Sequence, residues 1–159
     1  MSWLRTHTCG DLTKEMVDRE VILNGWVSSR RDLGGVIFID LRDRYGITQV
    51  VFDESNKELH KRAEDLRPEY VIGVKGSVLL RDEETINPSM TTGEIEIEVS
   101  ELEIYSEAET PPFEIKDGIS TNEDVRLKYR YLDLRRPEVQ DRLMLRSNFY
   151  QSVREFYHD

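Results

Sequence analysis

Between Val36 and Arg42 the side chains alternate with a period of two. Ile37, Ile39 and Leu41 fall on one side, and Val36, Phe38, Asp40 and Arg42 on the other. A strand of this kind buries one face only, so the chain must supply partner strands and an apolar core on that side. Turn signals flank it at 30–35 and 43–46, and an apolar run follows at 47–52. With a mixed strand at 21–29, these segments predict a tight three-stranded meander.

Ser55 is then expected to head a helix. Glu58 stands three residues on, as a capping box requires, and Leu59, Ala63 and Leu66 form one stripe. Arg67-Pro68 ends it, because the residue before proline is pushed out of helical geometry. Residues 70–80 read as a long strand, with Tyr70, Ile72, Val74, Val78 and Leu80 at even spacing. After a polar loop at 81–93, residues 94–104 alternate again, Ile95, Ile97 and Val99 inward and Glu94, Glu96 and Glu98 outward. The order predicts a mainly β chain: a five-stranded OB-fold Greek-key barrel with a helix between strands 3 and 4. Such barrels take oligonucleotides or oligosaccharides on the second and third strands, flanked by the first-to-second and fourth-to-fifth strand loops.

Residues 105–120, with Pro111-Pro112 and Gly118, read as a linker. A capping box at 121–124 opens a short helix carrying Arg126, Lys128 and Arg130. After Pro137 a long helix places Leu145, Phe149, Val153 and Phe156 on one stripe and meets no stop signal. The expected organisation is a barrel at 1–106, a linker or hinge at 107–137, and at 138–159 a truncated first helix of a further domain.

Net charge misleads here. With 22 Lys+Arg against 32 Asp+Glu the chain carries −10, which on average argues against a polyanion ligand. Yet residues 94–117 hold nine acids and only Lys116, a local −8, and the bland reading is the solvated face of one strand. Residues 126–146 carry a local +4 and 24–49 a local +1, with Arg30, Arg31, Arg42 and Arg44 close together, so a mildly basic face is expected. No apolar run approaches the ~18 residues of a membrane span, and the polar N-terminus lacks a signal-peptide core. The lone Cys9 excludes an intramolecular disulfide and fits a reducing, cytoplasmic setting; without an adjacent His it reads as a buried or idle thiol. Three scattered histidines argue against a zinc site. No Ser/His/Asp arrangement or glycine-rich phosphate loop is readable. Asp40, Asp43, Asp53 and Glu54 are expected to pair with Arg42 or Arg44 rather than to hold a metal.

The candidate binding residues converge on the surface an OB barrel uses. Phe38 shares its strand face with Asp40 and Arg42, where an exposed aromatic offers a stacking platform; the alternative is packing under a loop or helix. Gln49 on the third strand carries a donor and an acceptor suited to a base edge, or is an ordinary exposed strand glutamine. Arg30 and Arg31 are placed in the first-to-second strand loop, and Arg81, Glu83 and Asn87 in the fourth-to-fifth. Each taken singly fits a solvated surface role; their convergence favours a site.

Several stretches resemble the N-terminal region of the bacterial-type aspartyl-tRNA synthetases, a class II family. They are Gly25-Trp26-Val27 with Arg30-Arg31-Asp32-Leu33-Gly34, then Ile37 through Arg44, Gly46 with Gln49 through Asp53, and Thr92 through Glu96. The most specific is the block running from Arg126 to Glu138. Lysyl- and asparaginyl-tRNA synthetases share the barrel and a looser linker block. The resemblance implies that Phe38 stacks on an anticodon base of tRNA-Asp and that Gln49 reads the central uridine of GUC. It also implies that Arg31, Arg81 and Asn87 lie in anticodon-contacting segments. Forms specific for tRNA-Asp and forms that also charge tRNA-Asn differ around Leu33 and Glu84, and Leu33 leans toward the specific form. It further implies a full-length homodimer that joins aspartate to tRNA through aspartyl-adenylate, with ATP and Mg2+. The fragment itself is expected to use no cofactor, to do no such chemistry alone, and to bind neither DNA nor membrane. Two other classes predict different behaviour: a generic single-strand binder with strong salt dependence, or a protein-interaction barrel with no RNA binding.

Overall fold

The computed structural model describes residues 3–158. Its strands are β1 (Glu20–Asp32), β2 (Val36–Arg42), β3 (Ile47–Asp53), β4 (Val71–Leu80) and β5 (Ile95–Ser106), with helix α1 (Lys57–Glu64) between β3 and β4. β1 pairs antiparallel with β2 and with β4, β2 with β3, and β4 with β5. A short parallel ladder, Val50 to Ile97 and Val51 to Glu98, closes the barrel in the order β1-β2-β3-β5-β4. This is the predicted OB architecture.

The alternation seen in the sequence is the inside–outside pattern of the barrel, except at the end of β4, where Leu80 is exposed. Ile37, Ile39 and Leu41 are fully buried, as are Val50, Phe52, Ile72, Val74, Val78 and Ile97. Leu59 and Ala63 of α1, with Leu66 just beyond it, join the same core. The helix starts later than expected. Asn56, not Ser55, is the cap, and its Oδ1 accepts the Leu59 N–H at 3.1 Å. Ser55 is held outside the helix, its N–H donating to Asp53 Oδ1 at 2.7 Å.

The segment before β1 also belongs to the core, although it carries no strand or helix pattern. Thr6 bonds Ile22 in both directions, its N–H donating to the Ile22 carbonyl and its Oγ1 accepting the Ile22 N–H, each at 2.9 Å. The Cys9 N–H donates to Asp43 Oδ2 at 2.9 Å, and Thr48 Oγ1 donates to the Cys9 carbonyl at 2.7 Å. Cys9 and Leu12 are buried, so Cys9 is a core residue. Burial, reinforced by the Asp43 charge, pushes its thiol well above the ordinary range, which leaves it protonated and unreactive.

The residues from Pro111 onward form a second compact unit. Its helices are α2 (Glu123–Lys128), α3 (Arg130–Asp133) and α4 (Pro137–His158). The α2 cap is Asn122, whose Oδ1 accepts the Asp124 N–H at 2.9 Å. A small core of Phe113, Ile115 and Leu132 is surrounded by Ile119, Val125 and Tyr129. Next to it Asp133 is buried and held by Arg136 at 3.0 Å and by Arg130, with Arg126 at 3.9 Å. Arg136 is buried too, and its Nε donates to the Lys116 carbonyl at 3.0 Å. No described residue of α4 is buried, and Leu145, Phe149 and Phe156 of its stripe are exposed.

Candidate nucleic-acid interface

The site begins with a register shift. β1 pairs Val27 with Leu41 and then Ser29 with Asp40, so Ser28 is an extra residue, a β-bulge. Up to Val27 the odd-numbered residues of β1 face the core; after the bulge the phase reverses. Arg30 now pairs with buried Ile39 and faces inward, while Arg31 pairs with Phe38 on the outer face. Both arginines were expected in the first-to-second strand loop, but the ladder runs on through Asp32. The loop shrinks to a tight turn, with the Leu33 N–H on the Val36 carbonyl at 3.0 Å and Gly34 and Gly35 at positive φ.

The two arginines part company accordingly. Arg30 Nη1 donates to the Glu64 carbonyl at the end of α1, at 3.1 Å, and so ties the helix to the barrel. Arg31 turns to the outer face of the sheet. Its Nη2 donates both to Asp40 Oδ1 and to Gln49 Oε1, each at 2.9 Å. Asp40 is steadied by the Ser29 hydroxyl at 2.6 Å. Gln49 Nε2 donates in turn to Glu96 Oε2 at 2.8 Å, and Arg81 Nε stands 3.8 Å from the same oxygen. The chain Ser29–Asp40–Arg31–Gln49–Glu96–Arg81 therefore crosses β1, β2, β3 and β5.

Phe38 is half-buried on this outer face, with Arg31 and Val51 as its cross-strand neighbours. Because Asp40 pairs with Gln49, Phe38 and Gln49 are diagonal neighbours on one face. Gln49 itself is buried, unlike an ordinary exposed strand glutamine. Arg81 is buried as well. Its Nε donates to the Ile95 carbonyl at 3.0 Å, and its Nη2 is buried with no partner. Burial pulls the Arg81 guanidinium below its usual range, and the Glu96 and Asp40 charges offset this only in part.

The rest of the fourth-to-fifth strand loop contributes differently. Glu83 and Glu84 stand exposed in a 3-10 turn, Glu83–Thr85. Asn87 Oδ1 accepts from both the N–H and the hydroxyl of Ser89, at 3.0 and 2.6 Å. Its N–H donates to the Gly93 carbonyl at 3.1 Å. A Cβ at Gly93 would lie 1.8 Å from the Asn87 carbonyl oxygen. Gly93→Ala is therefore expected to force this loop open and to destabilise the barrel by about 1–3 kcal/mol, measured by urea unfolding; an unchanged midpoint refutes the steric reading. Leu33 is exposed at the tip of the β1–β2 turn.

Three further expectations need correcting. Asp40 pairs with Arg31, Asp43 lies 3.7 Å from Arg5, and Asp53 accepts the Ser55 N–H, while Arg42 is taken by Glu69 through two bonds of 2.7 and 2.9 Å. The acidic strand is also not merely solvated, since Glu96 is a half-buried member of the network. The face is thus not a basic one. It sets two arginines, Arg31 and Arg81, against two carboxylates, Asp40 and Glu96.

A closed five-stranded barrel in the order β1-β2-β3-β5-β4, with a helix between β3 and β4, defines the OB architecture. The chain belongs to the family of the OB-fold nucleic acid binding domain, whose model matches residues 21–105. Residues 122–159 match a second model, the tRNA synthetases class II (D, K and N). Over 158 residues the chain is 52% identical to the Aspartate--tRNA(Asp/Asn) ligase of Syntrophotalea carbinolica, covering 99% of this chain and 26% of that protein. The chain thus spans about a quarter of the length of the curated relatives it matches. Among solved structures it resembles asparaginyl-tRNA synthetase from Pyrococcus horikoshii (TM-score 0.79, 25% identity, 94% of this chain and 34% of that one). An aspartyl tRNA synthetase from Entamoeba histolytica shares the fold (TM-score 0.85, 22% identity, 94% and 36%).

Proposed function

We propose that this chain is the anticodon-recognition region of an aspartate–tRNA ligase, with the barrel at 1–106, a hinge at 107–137, and at 138–159 the start of a class II catalytic domain. The observation that carries the reading is the diagonal placement of Phe38 and Gln49 on the outer face of β2 and β3, where one base can stack and be read. The relatives' names and the match to the class II model support the choice of tRNA as ligand.

In this reading Phe38 stacks on an anticodon base of tRNA-Asp, and Gln49 reads the central uridine. Arg31 and Arg81 sit beside them, and Glu83 and Asn87 border the face from the β4–β5 loop. Arg30 serves the barrel instead, through Glu64. Leu33 and Glu84, both exposed, bear on the choice between tRNA-Asp and tRNA-Asn. The full-length enzyme acts in the cytoplasm as a homodimer and joins aspartate to tRNA through aspartyl-adenylate, using ATP and Mg2+. Among the described residues no group of three or more His, Cys, Asp or Glu side chains is placed to hold a metal ion.

The test is a titration at fixed salt with stem-loops bearing the aspartate, asparagine and lysine anticodons. Gln49→Ala should reduce discrimination at the central base by about tenfold, the equivalent of one or two hydrogen bonds, and weaken overall binding less. Equal affinity for loops with altered anticodons refutes the reading. Weak discrimination with a steep salt dependence indicates a generic single-strand binder instead. Charging assays on the full-length enzyme with both tRNAs decide the role of Leu33 and Glu84.

A further inference from the structure

A carboxamide is nearly symmetric in shape, so rotating it by half a turn exchanges donor and acceptor at little steric cost. Gln49 is denied that freedom. Its Oε1 faces the Arg31 guanidinium, which only donates, and its Nε2 faces the Glu96 carboxylate, which only accepts. The flipped rotamer would set an N–H against a cation and a carbonyl against an anion, losing two charge-assisted bonds. After these two bonds, one N–H and one lone pair of the carboxamide remain for a ligand.

The direction of that remaining pair matters for a pyrimidine. Uracil presents an acceptor at O4 beside a donor at N3; cytosine presents a donor at N4 beside an acceptor at N3. For a ring held in one pose, the two bases need opposite orientations of the glutamine. A freely rotating carboxamide serves both. A fixed one serves only one of them.

What fixes it traces back to Asp40. The Arg31 side chain is 49% exposed and could swing into solvent, but the nitrogen that donates to Gln49 is also bound by Asp40 Oδ1 at 2.9 Å. Asp40 is aimed by the Ser29 hydroxyl. Glu96, on the other flank, is steadied by the buried Arg81. We propose that Asp40 is a positioning residue which, through Arg31, locks the direction of the Gln49 carboxamide, and that this lock separates uracil from cytosine at the base Gln49 reads. The inference rests on the reading of this face as a base-binding one, and the test separates the two.

The experiment measures binding of the 159-residue chain to two stem-loops that differ only in U or C at the central anticodon position. The unaltered protein should prefer U. Asp40→Asn should lower the U/C affinity ratio about fivefold or more, chiefly because the C loop binds better. Arg31→Met removes the same lock and should lower the ratio likewise, so the test survives if the first variant fails to fold. In the RNA-free protein the Gln49 side-chain amide protons should exchange with solvent faster in Asp40→Asn. Weaker binding of both loops at a constant ratio overturns the positioning role. Unchanged amide exchange does the same. An unaltered protein that does not distinguish U from C overturns the base-reading assignment as well.

Discussion

Replacing Asp133 by alanine should unfold the unit that begins at Pro111 while leaving the barrel folded. Asp133 is 1% exposed and Arg136 is 4% exposed, so each meets the other where water cannot compensate a lost partner. Arg130 and Arg126 add their charge to the same carboxylate. Without Asp133, Arg136 Nη2 keeps Asp117 at 3.5 Å and Glu138 at 3.4 Å, but its Nη1 loses its only carboxylate among the described residues of the unit, and an unsatisfied buried donor costs about 1–3 kcal/mol. The unit opposes that loss with a core of three buried apolar side chains, Phe113, Ile115 and Leu132, too few to absorb it. Hydrogen exchange followed by mass spectrometry checks the result: amides from 113 to 136 should lose protection, and those of β1 to β5 should keep it. Retained protection around Leu132 refutes it. The double variant Asp133→Leu with Arg136→Met should recover most of the loss, because a buried pair exchanged for apolar groups leaves no stranded charge.

Phe38→Ala should weaken binding to an aspartate-anticodon stem-loop by about 1–3 kcal/mol, or roughly 5- to 150-fold. The ring lies on the outer face, between Arg31 and Val51, while Ile37 and Ile39 on either side fill the core. Its loss therefore removes a stacking surface without opening a cavity, and the unfolding midpoint should stay near that of the unaltered protein. Phe38→Tyr should bind nearly normally, since every base stacks on either ring. The salt dependence of binding should not change, because Phe38 neutralises no phosphate. A large drop in the unfolding midpoint would mean that Phe38 is a packing residue.

The barrel was legible because its signal is local. Residues 36–42, 70–80 and 94–99 carry their own two-residue period, and the helix ends near the proline that punctuates it, though it starts one residue later than its expected cap. The single residue that rearranges the binding face was not legible. Ser28 looks like any strand serine, yet as the extra residue of a bulge it turns Arg31 outward and Arg30 toward α1. Two adjacent arginines cannot be told apart without that register. Glu96 was hidden for a different reason: it alternates in sequence with Glu94 and Glu98 and is singled out only because β5 lies against β3 at that level. The segment around Cys9 and Leu12 has no period at all, and its burial comes from contacts with Asp43 and Thr48, more than 30 residues away.

The parallel ladder between β3 and β5 bears on how the chain reaches this state. Every other neighbouring pair is an extended antiparallel ladder, but this one has only two residue pairs, and it joins positions 47 residues apart. The loop entropy of bringing Ile97 to Val50 must be met before the interior is sealed, and few bonds reward it. The β1–β4 ladder spans 45 to 57 residues but is repaid by seven residue pairs, so the parallel closure is the least rewarded of the long-range steps. Until it closes, the hairpin edge at Val50 and Val51 stays open to strands of other molecules.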